Sequence, residues 1–310
     1  MPQSLIRYNS FPVKDVLQLL LLDHTTEKNI IFATDQYQDK YPSISPTTEI
    51  SVDMLSTCGN PIIQPRVTKS LEEQFERTRK NAEVFTPSWL CNKMNNHCDE
   101  EWFGRCNVFN IETSRSWITN KDPIFFGKDL DWKDYVQSTR LEITCGEAPY
   151  LASRYDASTG EIIPIENRIG ILDRKLRVVN ENTKNENTWL AWTKKAFQSV
   201  YGYEFQGDNL LIARINLLLT FCDNLKHRWN KEPSINHLKS IANIVSWNLW
   251  QMDGINNLIP FATSPTDAMI QLDLFAVDPV KPPRVAPDKT ECIIFDWEQG
   301  KPVLFNRLKG

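Results

Sequence analysis

Residues 208–225, DNLLIARINLLLTFCDNL, constrain the fold more than any other stretch of the chain. The pattern is helical, and apolar side chains run nearly all round it. Such a helix has to be covered on more than one side. It stands inside an alternation. Leu141–Cys145 reads as a strand, WLAWTKKAFQSV as a helix and VYGYEFQ as a strand. After 208–225, with Asp208 expected as its cap, come a short helix, SINHLKSIAN, and a strand, NIVSWNLW. This recurrence from 141 to 250 is the mark of a parallel sheet with helices on its faces, so the expected fold class is α/β.

Sheets of that kind bind ligands beyond the carboxyl ends of their strands. The three ends are Thr144-Cys145-Gly146, Tyr203-Glu204-Phe205 and Gln251-Met252-Asp253. Glu204 is the most informative, because the two oxygens of a carboxylate suit the vicinal diol of a ribose. Taken alone, a solvated glutamate at a strand end is the plainer reading. Its company points to a ligand. Asp253 is placed to accept from an adenine amino group, and Gly146 gives backbone room for close approach. Thr86 is a natural N-cap with Pro87 at the first helical position, which leaves helix N–H groups free to face a carboxylate. Four elements then converge on one ligand, S-adenosylmethionine.

The rest of the chain divides around this region. Residues 1–65 form a mixed segment, with VKDVLQLLLLD helical, NIIFATD a short strand and 44–58 loop. Residues 66–277 form the cofactor-binding domain, and 278–310 a Pro-rich linker (DPVKPPRVAPD) and a terminal strand in CIIFDWE. Ser70 and Glu73 match a capping box that opens a helix. Residues 105–138 look irregular, residues 157–188 are polar apart from IGILD, and NENTKNENT reads as surface loop.

A net charge of −4 argues against wholesale coating by nucleic acid, though not against a local basic face. The seven cysteines form no paired framework, no secretory leader opens the chain, and VLQLLLL is too short to span a bilayer. A cytoplasmic location with free thiols and no membrane partner is expected. Cys91, His97, Cys98 and Cys106 lie close in sequence but too widely spaced for a usual zinc site, so no metal is expected there.

Four stretches together resemble the amino-terminal, cofactor-binding part of adenine-N6 DNA methyltransferases of restriction-modification systems. NAEVFTPSWLCNKM is similar to that family's "EFFTP" segment. LEITCGEAPYL resembles its "DPACGSGNFL" loop. YGYEFQGDNLLIARINLLL resembles its ribose-binding "G-x-E-x-D…A-x-x-N-L" stretch, and IVSWNLWQMDG the adenine-contacting segment. The resemblance covers roughly residues 66–254. It implies a Rossmann-like S-adenosylmethionine-dependent methyltransferase fold. It further implies cofactor contacts from Phe85, Thr86, Pro87, Glu142, Cys145, Gly146, Ala148, Glu204 and Asp253.

Glu142 stands where the family has Asp, Ile143 where it has Pro, and Ala148 where it has a second glycine. The Ala148 methyl is expected to narrow the approach to the ligand. The family's Asn-Pro-Pro-Tyr segment, which positions the target amine and stacks on the flipped base, is absent from the sequence. The only Pro-Pro pair, Pro282-Pro283, lies between Lys281 and Arg284. The resemblance therefore implies a split or truncated enzyme, with DNA and a second chain or restriction-system subunits as partners. A non-catalytic module of the same fold is one alternative. A metal-dependent nuclease using Asp288, Glu298 and Lys301 is another, although its acid-to-lysine gap is one residue too long.

Overall fold

The computed structural model describes residues 5–56, 61–81, 83–84, 86–262 and 290–306. The chain opens with α1 (Leu17–Leu21), then β1 (Leu22–Asp23) paired antiparallel to β2 (Lys28–Asn29), then α2 (Val52–Leu55). Next come α3 (Leu71–Asn81), α4 (Ser88–Phe103) and an antiparallel hairpin of β3 (Asn110–Thr113) and β4 (Ser116–Thr119). The central part runs α5 (Trp132–Gln137), β5 (Arg140–Glu142), α6 (Ile171–Asn182), α7 (Glu186–Gln198), β6 (Val200–Glu204), α8 (Gly207–Trp229), α9 (Ile235–Asn248) and β7 (Leu249–Gln251). A last antiparallel hairpin joins β8 (Ile293–Asp296) to β9 (Lys301–Leu304).

Strands β5, β6 and β7 form a three-stranded parallel sheet in that order, with Glu142 opposite Gly202 and Glu204 opposite Gln251. Parallel neighbours need long crossovers, and here α6–α7 and α8–α9 supply them. The chain is thus mixed α/β. Helix α8 carries 16 buried residues, as its all-round apolar pattern requires. The main core takes in Leu17, Leu20 and Leu21 of the amino-terminal stretch together with Leu210 to Leu218 of α8 and Leu249 of β7. Among the described residues no helix is long and apolar enough to cross a membrane.

Several expected boundaries move. The capping box forms: the Ser70 N–H donates to Glu73 Oε2 at 3.0 Å, and the Glu73 N–H to Ser70 Oγ at 3.2 Å. The stretch NIVSW is helical rather than extended. Ser234 caps α9 by accepting from the His237 N–H, and Leu238, Ile241, Ala242 and Val245 keep helical spacing into the core. That tertiary burial outweighs the strand preference of Ile244 and Val245. The polar-looking run after Gly170 is α6, whose Arg174 and Lys175 are themselves buried. The supposed loop NENTKNENT shrinks to 183–185, between α6 and α7. Residues 105–138 hold the β3–β4 hairpin and α5. The linker 278–288 lies outside the described residues.

One cation joins these parts. Arg214, fully buried on α8, donates from Nε to the Leu249 carbonyl at 2.9 Å and from Nη1 to Leu20 and Leu22 at 2.7 and 3.0 Å. Its Nη2 donates to Ser246 at 3.1 Å and to Leu249 at 2.6 Å. Burial lowers its pKa to about 10. Arg214→Met would leave four carbonyls without this donor. Urea unfolding should show a loss of about 3 kcal/mol or more. An unchanged unfolding free energy would show that other donors replace it.

Candidate functional site

The carboxyl ends of the three parallel strands meet at Glu204. Its Oε2 accepts from the Gly146 N–H at 2.8 Å, and its Oε1 from the N–H groups of Phe205 and Gln206, both at 3.0 Å. The Glu204 carbonyl accepts from the Met252 N–H at 3.1 Å. One residue therefore touches the end of β7 and the turn after β5.

That turn is unusual. Thr144, Gly146 and Ala148 have φ of 49°, 55° and 62°. This is left-handed backbone that glycine tolerates best. The Ala148 N–H closes the turn onto the Cys145 carbonyl at 2.7 Å. Ala148 is fully buried and belongs to the main core. Its methyl packs within that core. The departure from glycine appears as backbone strain of about 1 kcal/mol. Cys145 is also buried, and burial pushes its thiol pKa well up, so it is a packing residue.

The turn is acidic, and its carboxylates are buried. Glu142, at the end of β5, accepts from the N–H groups of Tyr150 and Leu151 at 3.3 and 3.2 Å. Glu147 accepts from the Arg66 N–H at 2.7 Å and the Tyr155 hydroxyl at 2.5 Å. Burial raises Glu204 to about 7 and Glu142 to about 8, and moves Glu147 upward too. None of these three carboxylates forms an ion pair among the described residues. A second acid nearby behaves oppositely. Burial alone would raise Asp208, but Arg77 at 2.8 Å and Lys69 at 3.4 Å outweigh it and hold it well below the usual range. Asp208 is not the cap of α8; Gln206 is, and Asp208 lies in the first turn, accepting from the Tyr37 hydroxyl at 2.6 Å.

The upstream segment arrives at the same place. Tyr150, two residues beyond Ala148, donates its hydroxyl to Met94 Sδ of α4 at 3.2 Å and lies beside Thr86. The helix starts one residue later than expected, with Pro87 as the uncapped N-cap of α4. The carboxylate at this terminus is the chain's own: the Ser88 N–H donates to Asp156 Oδ2 at 2.7 Å. Phe85 lies outside the described residues. Asp253 stands at the end of β7, but its carboxylate serves its own turn. It accepts from the N–H groups of Ile255 and Asn256 at 2.9 and 3.3 Å and from Asn256 Nδ2 at 2.9 Å.

The structure thus brings Thr86, Glu142, Gly146, Ala148 and Glu204 together and sets Asp253 beside them, turned aside. Of the eight candidates among the described residues, Pro87 alone lines either of two cavities, of about 1060 and 850 Å³. Sequence reasoning missed Glu147 and the Arg77–Glu83–Asp208 cluster. A charged residue inside the otherwise apolar CGEAPYL turn is the signal that pointed to Glu147. Among the described residues no three metal-ligating side chains converge. Cys98 and Cys106 are exposed, and His97 faces Glu101 at 3.6 Å. Glu298 and Lys301 sit on the β8–β9 hairpin, and Asp288 lies outside the described residues.

Buried carboxylates whose partners are backbone and hydroxyl donors hold their protons more tightly than exposed ones. No family model, curated protein or solved structure matches the chain.

These shifts fix the sign of the pH response. Both Glu142 and Glu204 hold a proton more tightly in the folded chain than at their ordinary value of 4.5. Between about 4.5 and about 8 these two carboxylates therefore bind more protons in the folded state, and their contribution to stability falls as pH rises through that window. His24, lowered to about 3 by burial, contributes the opposite sign below about 6.5, so urea unfolding from about pH 6.5 to about pH 8 should show this decline, less steep in Glu142→Gln. A wild-type stability that rises across the window would contradict the burial of these charges.

Proposed function

We propose that the chain is the S-adenosylmethionine-binding part of an adenine-N6 DNA methyltransferase of a restriction-modification system. The observation that carries this reading is the Glu204–Gly146 contact, which sets a strand-end carboxylate against a left-handed turn at the ends of a parallel sheet. The strand order β5-β6-β7 with two helical crossovers is compatible with one half of a Rossmann-like sheet. The ligand class agrees with the electrostatics. S-adenosylmethionine carries a sulfonium and an ammonium, and the turn offers three buried carboxylates with no ion pair among the described residues. Glu204 would take the ribose, and the 144–148 turn the methionine end. Asp253 would reach adenine only by giving up its own turn.

This sequence holds no Asn-Pro-Pro-Tyr segment, so in this reading a second chain or a further part of the same protein supplies the catalytic tetrapeptide and the DNA-recognition part. The complex would act in the cytoplasm, where its DNA lies.

Calorimetry of the full chain with S-adenosylmethionine, without divalent cation, tests the reading. Binding is expected, and Glu204→Ala should weaken it by about tenfold or more, since a buried charged acceptor is lost. A Glu204→Ala chain that binds as tightly as wild type would remove the ribose assignment. Cofactor binding with no methyl transfer in the presence of candidate partner chains would favour a non-catalytic module. Magnesium-dependent DNA nicking without cofactor binding would favour a nuclease.

A further inference from the structure

Strand β5 stands at one edge of the parallel sheet and pairs with β6 alone. The Arg140 N–H donates to the Ser199 carbonyl at 2.9 Å, so the main-chain groups of Arg140 and Glu142 face β6. Alternation turns those of Leu141 and Ile143 outward. Among the described residues no backbone partner meets them there. Their side chains are bare as well, Leu141 being 43% and Ile143 64% exposed. An edge strand with free main-chain groups is a template for a further strand.

The smaller cavity, of about 850 Å³, opens beside this edge. The register sets Leu141 beside Tyr201 and Tyr203 beside Trp250, so these side chains share one face of the sheet. The β8–β9 hairpin covers the β7 end of that face with Ile294 and Phe305 and leaves the β5 end open. Leu141, Tyr201, Trp250, Phe295, Trp297 and Phe305 line the cavity. Asp296 and Glu298 stand in its wall, and neither forms an ion pair among the described residues. Burial, then these two acids, push the Tyr201 hydroxyl up to about 12. The lining also holds Lys195, whose Nζ is turned to the Trp192 ring, 5.5 Å from its centre. A long cationic side chain complements such a cavity: its methylenes lie on the rings and its charge meets the carboxylates.

We propose that β5 and this cavity together bind an extended basic segment of a partner polypeptide. Its backbone adds as a strand to the free edge, and a lysine or arginine side chain crosses the aromatic cavity toward Asp296 and Glu298. An added strand runs about 4.8 Å beyond β5, and its side chain beside Leu141 leaves on the cavity's face. Main-chain bonds give such a complex affinity, and the pocket chooses the side chain. Since β5 is only three residues long, the anchoring side chain contributes much of the binding. The surface is separate from the strand-end site and does not depend on the reading of that site.

Calorimetry and tryptophan emission of the full wild-type chain with the peptide acetyl-Val-Thr-Lys-Thr-Val-amide test the assignment. The peptide should bind and change the emission, because Trp250 and Trp297 line the cavity. The same peptide with glutamate in place of lysine should bind at least about tenfold more weakly, and added salt should weaken the lysine peptide. N-methylation at alternate residues, made in each of the two phases, should abolish binding in one phase, because a strand's donors alternate between its edges. A chain carrying Asp296→Asn and Glu298→Gln keeps the position-296 acceptor for the N–H groups of residues 298 and 299. It should bind the lysine peptide about tenfold more weakly at an unchanged melting temperature. No binding of the lysine peptide would overturn the proposal. So would equal binding of the glutamate peptide, binding indifferent to the double substitution, or both N-methylated forms binding as tightly as the parent. A free chain that is a stable dimer, dissociated by the peptide, would place a second copy on this edge and overturn it too.

Discussion

A buried guanidinium with no carboxylate in contact among the described residues sets the frame of this protein. Arg214 spends its donors on carbonyls from α1, β1, α9 and β7, which ties the amino-terminal stretch to the sheet. Carbonyls at helix ends carry partial negative charge, so they can satisfy a cation that has no anion to meet. Packing follows from that knot. Gly207, at the start of α8, lies so close to the amino-terminal segment that a Cβ there would meet the Ile31 carbonyl oxygen at 2.0 Å. Gln251 exchanges hydrogen bonds with the Ile31 backbone at 2.9 and 2.8 Å. The ends of β6 and β7 are thereby roofed by residues 30–33, and Arg77 and Lys69 approach Asp208 from the α3 side.

The electrostatics of the roofed region are lopsided. Asp208 and Glu83 have cations in contact; Glu142, Glu147 and Glu204 have backbone N–H and hydroxyl donors instead. Dipoles stabilise a buried carboxylate less than a full charge does, which is why the second group holds its protons more tightly. Buried groups with raised pKa, gathered at the ends of parallel strands, are a frequent mark of a ligand site. In the proposed reading the missing positive charge arrives with the cofactor.

The sequence disclosed the strand ends well, because apolar runs stop there at a polar residue: Glu204 and Asp253 both stand where expected. Helix α8 and the Ser70–Glu73 capping box were equally legible, since periodicity and capping are local signals. Other features were hidden by non-local causes. Helix α6 looked polar because Arg174 and Lys175 are buried by long-range partners. Arg174 donates to Asn92 and to Asn96, each at 2.8 Å, and Lys175 to the Val136 carbonyl at 3.1 Å. The extension of α9 into IVSW depended on burial against neighbouring helices. Asp156, sixty-eight positions from the Ser88 N–H it caps, gave no signal of that role. The positive φ of Ala148 is one that its residue type does not announce.

The central claim is that unpaired carboxylates at the strand ends receive a cationic cofactor. A positive ligand must lower the pKa of a carboxylate it meets, so binding near neutral pH has to expel protons. Calorimetry of S-adenosylmethionine binding at about pH 7, in buffers of different ionisation enthalpy, counts them. Net proton release is expected, reduced in Glu204→Gln. Proton uptake, or binding with no proton exchange in wild type, would contradict it.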